Sequence, residues 1–128
     1  MSILGIGIDI VENRRIKKFI NNKKFINRIF NKLEINKSKK YSSKVNYFAK
    51  KFAAKEAFVK ALGIGIRKGI NFKDINIDND KNGKPKVIIN SKVKLFIKSY
   101  LTKKKINILV SISDESHYSV SFVIIETK

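Results

Sequence analysis

The 128-residue sequence has no cysteine, no tryptophan, one proline, one histidine and six glycines. Without cysteine it can form neither disulfide bonds nor thiolate metal sites. No apolar run approaches the roughly 18 residues that a membrane-spanning helix needs. The opening MSILGIGID has no basic segment, and its apolar run stops at Asp9. We therefore expect no signal peptide and place the chain in the cytoplasm.

Acidic residues are also scarce, since ten stand against 29 basic residues and the formal net charge is +19. The excess is spread along the chain, with 25 Lys and four Arg beside 22 Ile and 13 Asn. Its field favours polyanions and acidic proteins as partners. Non-specific RNA binding is the competing function. We disfavour it, and expect no nucleic-acid partner, because the aromatic residues follow core-like helical spacing and arginine is rare.

Length and a 43% hydrophobic content predict one domain over residues 1–128. Residues 3–11 alternate like a strand, and one face carries only Gly5, Gly7 and Asp9. Apolar spacing from Glu12 to about Leu33 predicts two helices that separate at Asn21-Asn22. Residues 34–44 are lysine-rich and weakly patterned, so we interpret them as loop or frayed helix.

The pattern of the second half of the chain predicts a long helix, a hairpin, a second helix and a final hairpin. A central helix spans residues 45–62 and ends at Gly63. Two strands within 70–80 and 83–90 meet at a turn, with Pro85 at a strand start. A helix follows over 91–103, and a final hairpin joins 106–113 to 118–126. The fold class is therefore α+β, a largely antiparallel sheet packed against a long central helix.

Every alanine of the chain lies between residues 49 and 61, on the central helix. Small side chains surround Glu56, and Lys60 lies four residues later, where it can pair with Glu56 across one turn. These alanines either leave room for a ligand or let another element pack closely. The helix alone favours close packing, with Glu56 and Lys60 as a surface pair.

Asp9 makes the ligand interpretation more favourable. It lies on the bare face of its strand, and that face could pack against the small-residue face of the helix and bring Asp9 close to Glu56. Two carboxylates without cysteine suit a hard cation, namely Mg²⁺, which usually completes its shell with water and substrate phosphates. Lys60 suits the neutralisation of phosphate charge. The sequence thus predicts a Mg²⁺–phosphate site. Its glycine pairs match neither a dinucleotide-binding motif nor a P-loop.

Four segments resemble the holo-acyl-carrier-protein synthase family of phosphopantetheinyl transferases. They are GIGIDIVENRRI (5–16), FAAKEAFVKALGIGI (52–66), NGKP (82–85) and VSISDESHY (110–118). The likeness spans nearly the whole chain in the family's motif order. It implies transfer of the phosphopantetheine arm of coenzyme A to a serine of apo acyl carrier protein. Adenosine 3′,5′-bisphosphate would be released, and the reaction would support fatty acid biosynthesis.

The resemblance also implies roles for individual residues. Asp9 and Glu56 match the Mg²⁺ ligands, and Glu56 and Lys60 match the catalytic positions. Arg14 and Arg15 match the residues that contact the acidic carrier protein. The family forms homotrimers with sites between protomers. The positions expected to bind coenzyme A are Lys51, Lys60, Gly65, Gly83, Lys84, Pro85, Ser113 and Asp114.

Two positions depart from the family pattern. Ile64 stands where the family commonly has threonine, and Asp114 stands where many members have histidine. We expect Glu56, acting directly or through a metal-bound water, and not Asp114, to accept the proton of the serine. The lone histidine, His117, is expected to be structural or solvated. A catalytically inactive member of the family is disfavoured because Asp9, Glu56 and Lys60 are all present.

Overall fold

In the computed structural model, which describes residues 1–63 and 69–128, the chain forms five strands and five helices. The strands are β1 Ile3–Glu12, β2 Ile75–Asn79, β3 Pro85–Ile89, β4 Ile106–Asp114 and β5 Tyr118–Thr127. The helices are α1 Asn13–Lys17, α2 Lys23–Ile29, α3 Lys32–Ser38, α4 Lys44–Leu62 and α5 Ser91–Tyr100. A single 3₁₀ turn, Phe72–Asp74, precedes β2. The predicted α+β class is confirmed.

The strands form two antiparallel sheets. One has the order β1-β5-β4, and the other is the β2-β3 hairpin. The hairpin turn contains Gly83 with a φ of 85°, and β3 begins at Pro85 as predicted. Helix α4 ends at Gly63, whose φ of 79° is the expected left-handed cap.

The contact between β1 and α4 is closer than side chains of ordinary size would permit. A Cβ atom added to Gly5 would lie 1.9 Å from the carbonyl oxygen of Ala61, and one on Gly7 would lie 1.9 Å from that of Ala57. Both alanines are themselves buried. The bare face of β1 therefore lies directly on the helix backbone. Of the two interpretations of the alanines, close packing is the one that the structure shows.

A buried ion pair joins α3 to α4 and to the β2-β3 hairpin. Lys55 Nζ lies 2.7 Å from Glu34 Oε1, and both side chains are fully buried. The same ammonium donates to the carbonyl oxygens of Phe72 and Ile75, at 2.9 and 2.7 Å. Glu34 Oε2 accepts the backbone N–H of Ile77. Burial lowers the pKa of Lys55, and the Glu34 carboxylate opposes that shift.

The segment between β1 and α4 differs from the prediction. The expected break at Asn21-Asn22 is present, and Asn22 caps α2. However, there are three helices here, and residues 34–38, predicted as loop or frayed helix, lie in α3. A reciprocal capping box between Asn31 and Glu34 starts α3. Helix α3 was not predicted because it has no apolar stripe. The residues that it buries are Glu34 and Ser38.

The sheet face turned away from α4 is apolar and open. Its β1 residues Ile6, Ile8 and Ile10 are each about 60% exposed, and Phe122 and Leu109 continue the patch on β5 and β4. Exposed apolar patches of this kind mark interaction surfaces. Within the described ranges, no helix has the length and hydropathy needed to cross a membrane.

We predict that Gly7→Ala destabilises the fold strongly because its Cβ has no space against the Ala57 carbonyl. The expected loss is about 3 kcal/mol of the free energy of unfolding, at the upper end of overpacking costs. Urea denaturation measures it. The matched control is Gly63→Ala, whose Cβ meets no atom of the described residues within 4 Å. It should cost only about 1 kcal/mol, from left-handed backbone strain. Equal losses in both variants would contradict the close-contact explanation.

Candidate active site

Strand β1 and helix α4 bring two predicted metal ligands into one cleft. Asp9 and Glu56 line a cleft of about 260 Å³, and Arg15 lies at the same cleft. Asp9 shares the inward face of β1 with Gly5 and Gly7, so the glycine contacts with α4 set its distance from the helix. Glu56 follows Lys55 on α4, which the buried ion pair holds in place.

Lys60 bonds across the cleft instead of along its own helix. Its ammonium lies 3.1 Å from Asp9 Oδ1 and 3.0 Å from the carbonyl oxygen of Ile8. The expected surface pair between Lys60 and Glu56 is therefore wrong for this structure. The side chain of Glu56 forms no hydrogen bond or ion pair with any residue in 1–63 or 69–128. The close approach of β1 explains the difference, because it offers Lys60 two oxygen acceptors from another element.

Glu56 has a raised pKa for two reasons. Burial disfavours its charged form, and the negative charge of Asp9 adds to that effect. The positive charge of Lys60 acts in the opposite direction. A half-buried carboxylate that has no partner among the described residues, beside a second carboxylate, is a site where a cation or a proton is stabilised.

The carboxylates of Asp9 and Glu56 fit a Mg²⁺ ion whose remaining ligands come from water and from a bound substrate. In the described part of the chain, no three His, Cys, Asp or Glu side chains cluster together. Asp9 and Glu56 are the two carboxylates at this cleft. One or two carboxylates, completed by water and phosphate oxygens, are a usual protein site for Mg²⁺.

A second cleft, of about 170 Å³, collects several residues that the sequence assigned to coenzyme A. Lys51, Gly83, Pro85 and Asp114 line it. Lys84 instead lines a neighbouring groove. Ser113 pairs with Val120 in the sheet and is absent from the described lining of the cleft. Gly65 lies outside the described residues, as does Ile64.

Lys51 is one of two lysines among the described residues that line the second cleft, the other being Lys50. Its ammonium donates to the carbonyl oxygen of Ile77 at 2.6 Å and lies 4.8 Å from the centre of the Tyr47 ring. Burial lowers the pKa of Lys51 to about 8, although Glu34 and Asp78 oppose the shift. Lys51 therefore carries its charge below about pH 8.

A polar network that the sequence did not reveal holds Asp114. Asn46 on α4 donates to Asp114 Oδ2 at 2.9 Å. The buried Asn13 donates to the carbonyl oxygen of Glu115 at 2.9 Å and accepts from Ser119. These bonds fix the β4-β5 turn against α1. His117 lies exposed on that turn.

The first cleft also has an aromatic wall that sequence reasoning assigned to the core. Phe19, Phe25 and Phe52 line the cleft beside Asp9 and Glu56. The Phe19 and Phe25 rings stack with centroids 4.8 Å apart. Their helical spacing gave no signal of this role, because it is the same for core and cleft residues.

The chain matches a known family by sequence. A model of the 4′-phosphopantetheinyl transferase superfamily matches residues 5–123. The holo-acyl-carrier-protein synthase of Pelagibacter ubique is 49% identical over 128 residues, covering all of both chains. The enzyme of the same name from Ehrlichia chaffeensis is 44% identical over 133 residues, covering 98% of each chain.

Solved structures of proteins with that name have the same fold. The Neisseria meningitidis holo-acyl-carrier-protein synthase superimposes with a TM-score of 0.88 at 35% identity, covering 98% of this chain and 99% of that chain. The Bacillus anthracis protein, solved in complex with coenzyme A (3′,5′-ADP), gives a TM-score of 0.82 at 35% identity over the full length of both chains.

We predict that the pKa of Glu56 responds to its two charged neighbours in opposite directions. Asp9→Asn should lower it by removing a like charge, and Lys60→Met should raise it by removing an opposite charge. A ¹³C NMR titration of the carboxyl group, without divalent cations, measures both. The control is Lys44→Met, 12 residues away on α4 and thus about 18 Å along the axis. A shift in the control as large as that in Lys60→Met would contradict the local geometry.

Proposed function

The chain belongs to the 4′-phosphopantetheinyl transferase superfamily, and we propose that it moves the phosphopantetheine arm of coenzyme A to a serine of apo acyl carrier protein. The reaction releases adenosine 3′,5′-bisphosphate and supports fatty acid biosynthesis in the cytoplasm. One observation carries the proposal: Asp9, Glu56 and Arg15 line one cleft, and Lys60 bonds to Asp9 at its side.

Asp9 and Glu56 are the residues that would hold Mg²⁺. When bound, the ion offsets the negative charge of the coenzyme A pyrophosphate. Lys60 supplies a second positive charge at the same place, and its ammonium already lies within 3.1 Å of Asp9. Together, these groups would favour the approach of a pyrophosphate to a cleft that carries two carboxylates.

Glu56 is the proposed proton acceptor. The serine oxygen forms a bond to the phosphorus that bears the pantetheine, while the bond from that phosphorus to the bridging oxygen breaks. The bridging oxygen leaves with adenosine 3′,5′-bisphosphate, and the serine proton passes to Glu56. Glu56 lines the first cleft beside Asp9, where the serine of a docked carrier protein would lie. Asp114 lies in the other cleft, where Asn46 binds it.

The nucleotide end of coenzyme A is assigned to the second cleft. Lys51 brings the positive charge, and Gly83 and Pro85 form the wall on the hairpin side. Lys84 and Ser113 border this region, and Gly65 completes the set expected from the sequence. Within one chain, the two clefts have no lining residue in common among those described.

A homotrimer with sites between protomers would join the two clefts. The open face of the three-stranded sheet supports such an assembly, because Ile6, Ile8 and Ile10 expose apolar surface in a continuous row. A ring of identical subunits with head-to-tail contacts repeats one composite site three times. Asp9 and Glu56 of one protomer would then face Lys51 and Pro85 of the next.

Arg14 and Arg15 are the proposed contacts to the acidic carrier protein. Both lie exposed on α1, directly after the strand that carries Asp9. Arg15 reaches the first cleft, and Arg14 is ion-paired with Glu12. A docked carrier protein would thus present its serine close to Glu56.

The direct test is intact-mass spectrometry of apo acyl carrier protein incubated with this protein, coenzyme A and Mg²⁺. We expect a gain of one phosphopantetheine that EDTA abolishes. Asp9→Ala and Glu56→Ala should each reduce the rate at least about 100-fold, the scale of losing one electrostatic contact to the reacting group. Glu126→Gln, at the far end of β5, is the control and should remain active. Full activity in both alanine variants would refute the site assignment.

A second prediction concerns carrier-protein docking. Arg14→Glu places a like charge against an acidic partner, so the KM for the carrier protein should rise about tenfold. The KM for coenzyme A should not change. Steady-state kinetics at two salt concentrations measure both values. Lys94→Glu, a charge reversal at an exposed position of α5, is the control. An unchanged KM for the carrier protein would place the docking surface elsewhere.

A third prediction tests the composite site. Glu56→Ala and Lys51→Met chains, each with its own affinity tag, are co-expressed and purified through both tags. Every mixed trimer then contains one complete site in three, so activity should return to about a third of the wild-type value. Activity no higher than that of the separate variants would place both clefts' functions within one chain.

A further inference from the structure

A third surface feature, an open groove of about 690 Å³, lies between α5 and the adjoining edges of β3 and β4. It shares no described lining residue with the two clefts of the proposed reaction. The floor and walls are aliphatic: Val87, Ile89, Leu95, Ile97, Ile106 and Ile108. Ser91, Lys94, Leu95 and Lys98 of α5 follow the spacing of one helix face, so this face forms one wall.

Among the described residues, every charged side chain on the rim of the groove is a lysine. Its lysines are Lys94, Lys98, Lys104, Lys105 and Lys128. All five are exposed, and in the ranges 1–63 and 69–128 none of their ammonium groups forms an ion pair or hydrogen bond. No acidic residue stands among the described residues of the lining. Just outside the lining, Lys92 of the same helix pairs with Asp74.

Size and lining together define the chemistry of an occupant. The volume falls within the range of about 300–1,000 Å³ typical of small-molecule sites. The described lining contains no aromatic ring, so the groove offers aliphatic packing and no stacking surface for a base or other flat ring. A flat membrane cannot reach the floor of a concave groove. An alkyl chain fits the floor, and an anionic head group fits the lysine rim.

We propose that this groove binds a long-chain fatty acid, with the alkyl chain on the aliphatic floor and the carboxylate among the rim lysines. The site is separate from the clefts of the transfer reaction and does not depend on that reaction. Binding should strengthen with chain length, because each methylene buried in full contributes about fourfold to affinity. It should also require a negative head group.

The experiment is isothermal titration of the full-length protein with dodecanoate below its micellar concentration. We expect saturable binding to dodecanoate that weakens with each shortening to decanoate and octanoate. Butyrate, which has the charge without the chain, should not bind. Dodecyltrimethylammonium, which has the chain with the opposite charge, should bind at least about tenfold more weakly than dodecanoate.

Two pairs of variants locate the site. Lys104→Glu with Lys105→Glu should weaken dodecanoate binding at least about tenfold, and Leu95→Asp should do the same. The controls are Lys23→Glu with Lys24→Glu, another exposed lysine pair, and Leu33→Asp, whose leucine is 60% exposed against 65% for Leu95. Both controls should bind as the wild type does, and circular dichroism verifies that all four variants fold.

Several outcomes would overturn the proposal. Absence of dodecanoate binding to the wild type would do so, as would equal affinity for the cationic amphiphile. Equal weakening in the control variants would show that the overall positive charge, and not the groove, attracts the ligand. Binding to phosphatidylglycerol vesicles that needs Lys104 and Lys105, without binding to dodecanoate, would identify a membrane-contacting surface instead.

Discussion

The contact between β1 and α4 is the constraint on which the remaining structure depends. Two strand glycines lie against helix carbonyl oxygens, so the sheet approaches the helix without intervening side chains. This separation decides where Asp9 sits relative to Glu56 and Lys60. Because both partners are regular backbone elements, the positions of the Asp9 and Glu56 backbones relative to each other are set by rigid geometry. Because the glycine face of β1 lies against α4, the alternate residues of β1 point outward, where they form the open apolar face.

The buried ion pair of Glu34 and Lys55 fixes the elements that line the second cleft, as the glycine contacts of β1 fix those of the first cleft. It ties α3, α4 and the β2-β3 hairpin together at their common centre. Lys51, one turn earlier on α4, bonds to the same strand at Ile77. The hairpin that carries Gly83 and Pro85 is thereby fixed relative to Lys51. Both clefts are thus positioned from α4, by backbone packing in one case and by buried charge in the other.

Much of this arrangement could be predicted from the sequence, and the misses share a physical cause. Alternation and helical spacing located all five strands, the long helix and its Gly63 cap, because these elements bury apolar side chains at a regular period. Helix α3 was missed because its buried residues are Glu34 and Ser38, which no hydrophobic pattern reveals. The partner of Lys60 was also missed, since a bond to β1 depends on tertiary distance and not on spacing within α4. Asn13 and Asn46 escaped notice for the same reason.

The five alanines of α4 have one more consequence, which concerns the composition of the chain. Lys, Arg, Asp and Glu together make up 30% of its residues, and 22 residues are isoleucine. Against that background, five alanines within residues 49–61 are a local departure from the composition. Alanine remains only on the helix that β1 contacts and that fills the centre of the fold. Together with Gly5 and Gly7, whose added Cβ atoms would collide with the carbonyl oxygens of Ala61 and Ala57, these alanines mark the place where strand and helix backbones approach each other closely.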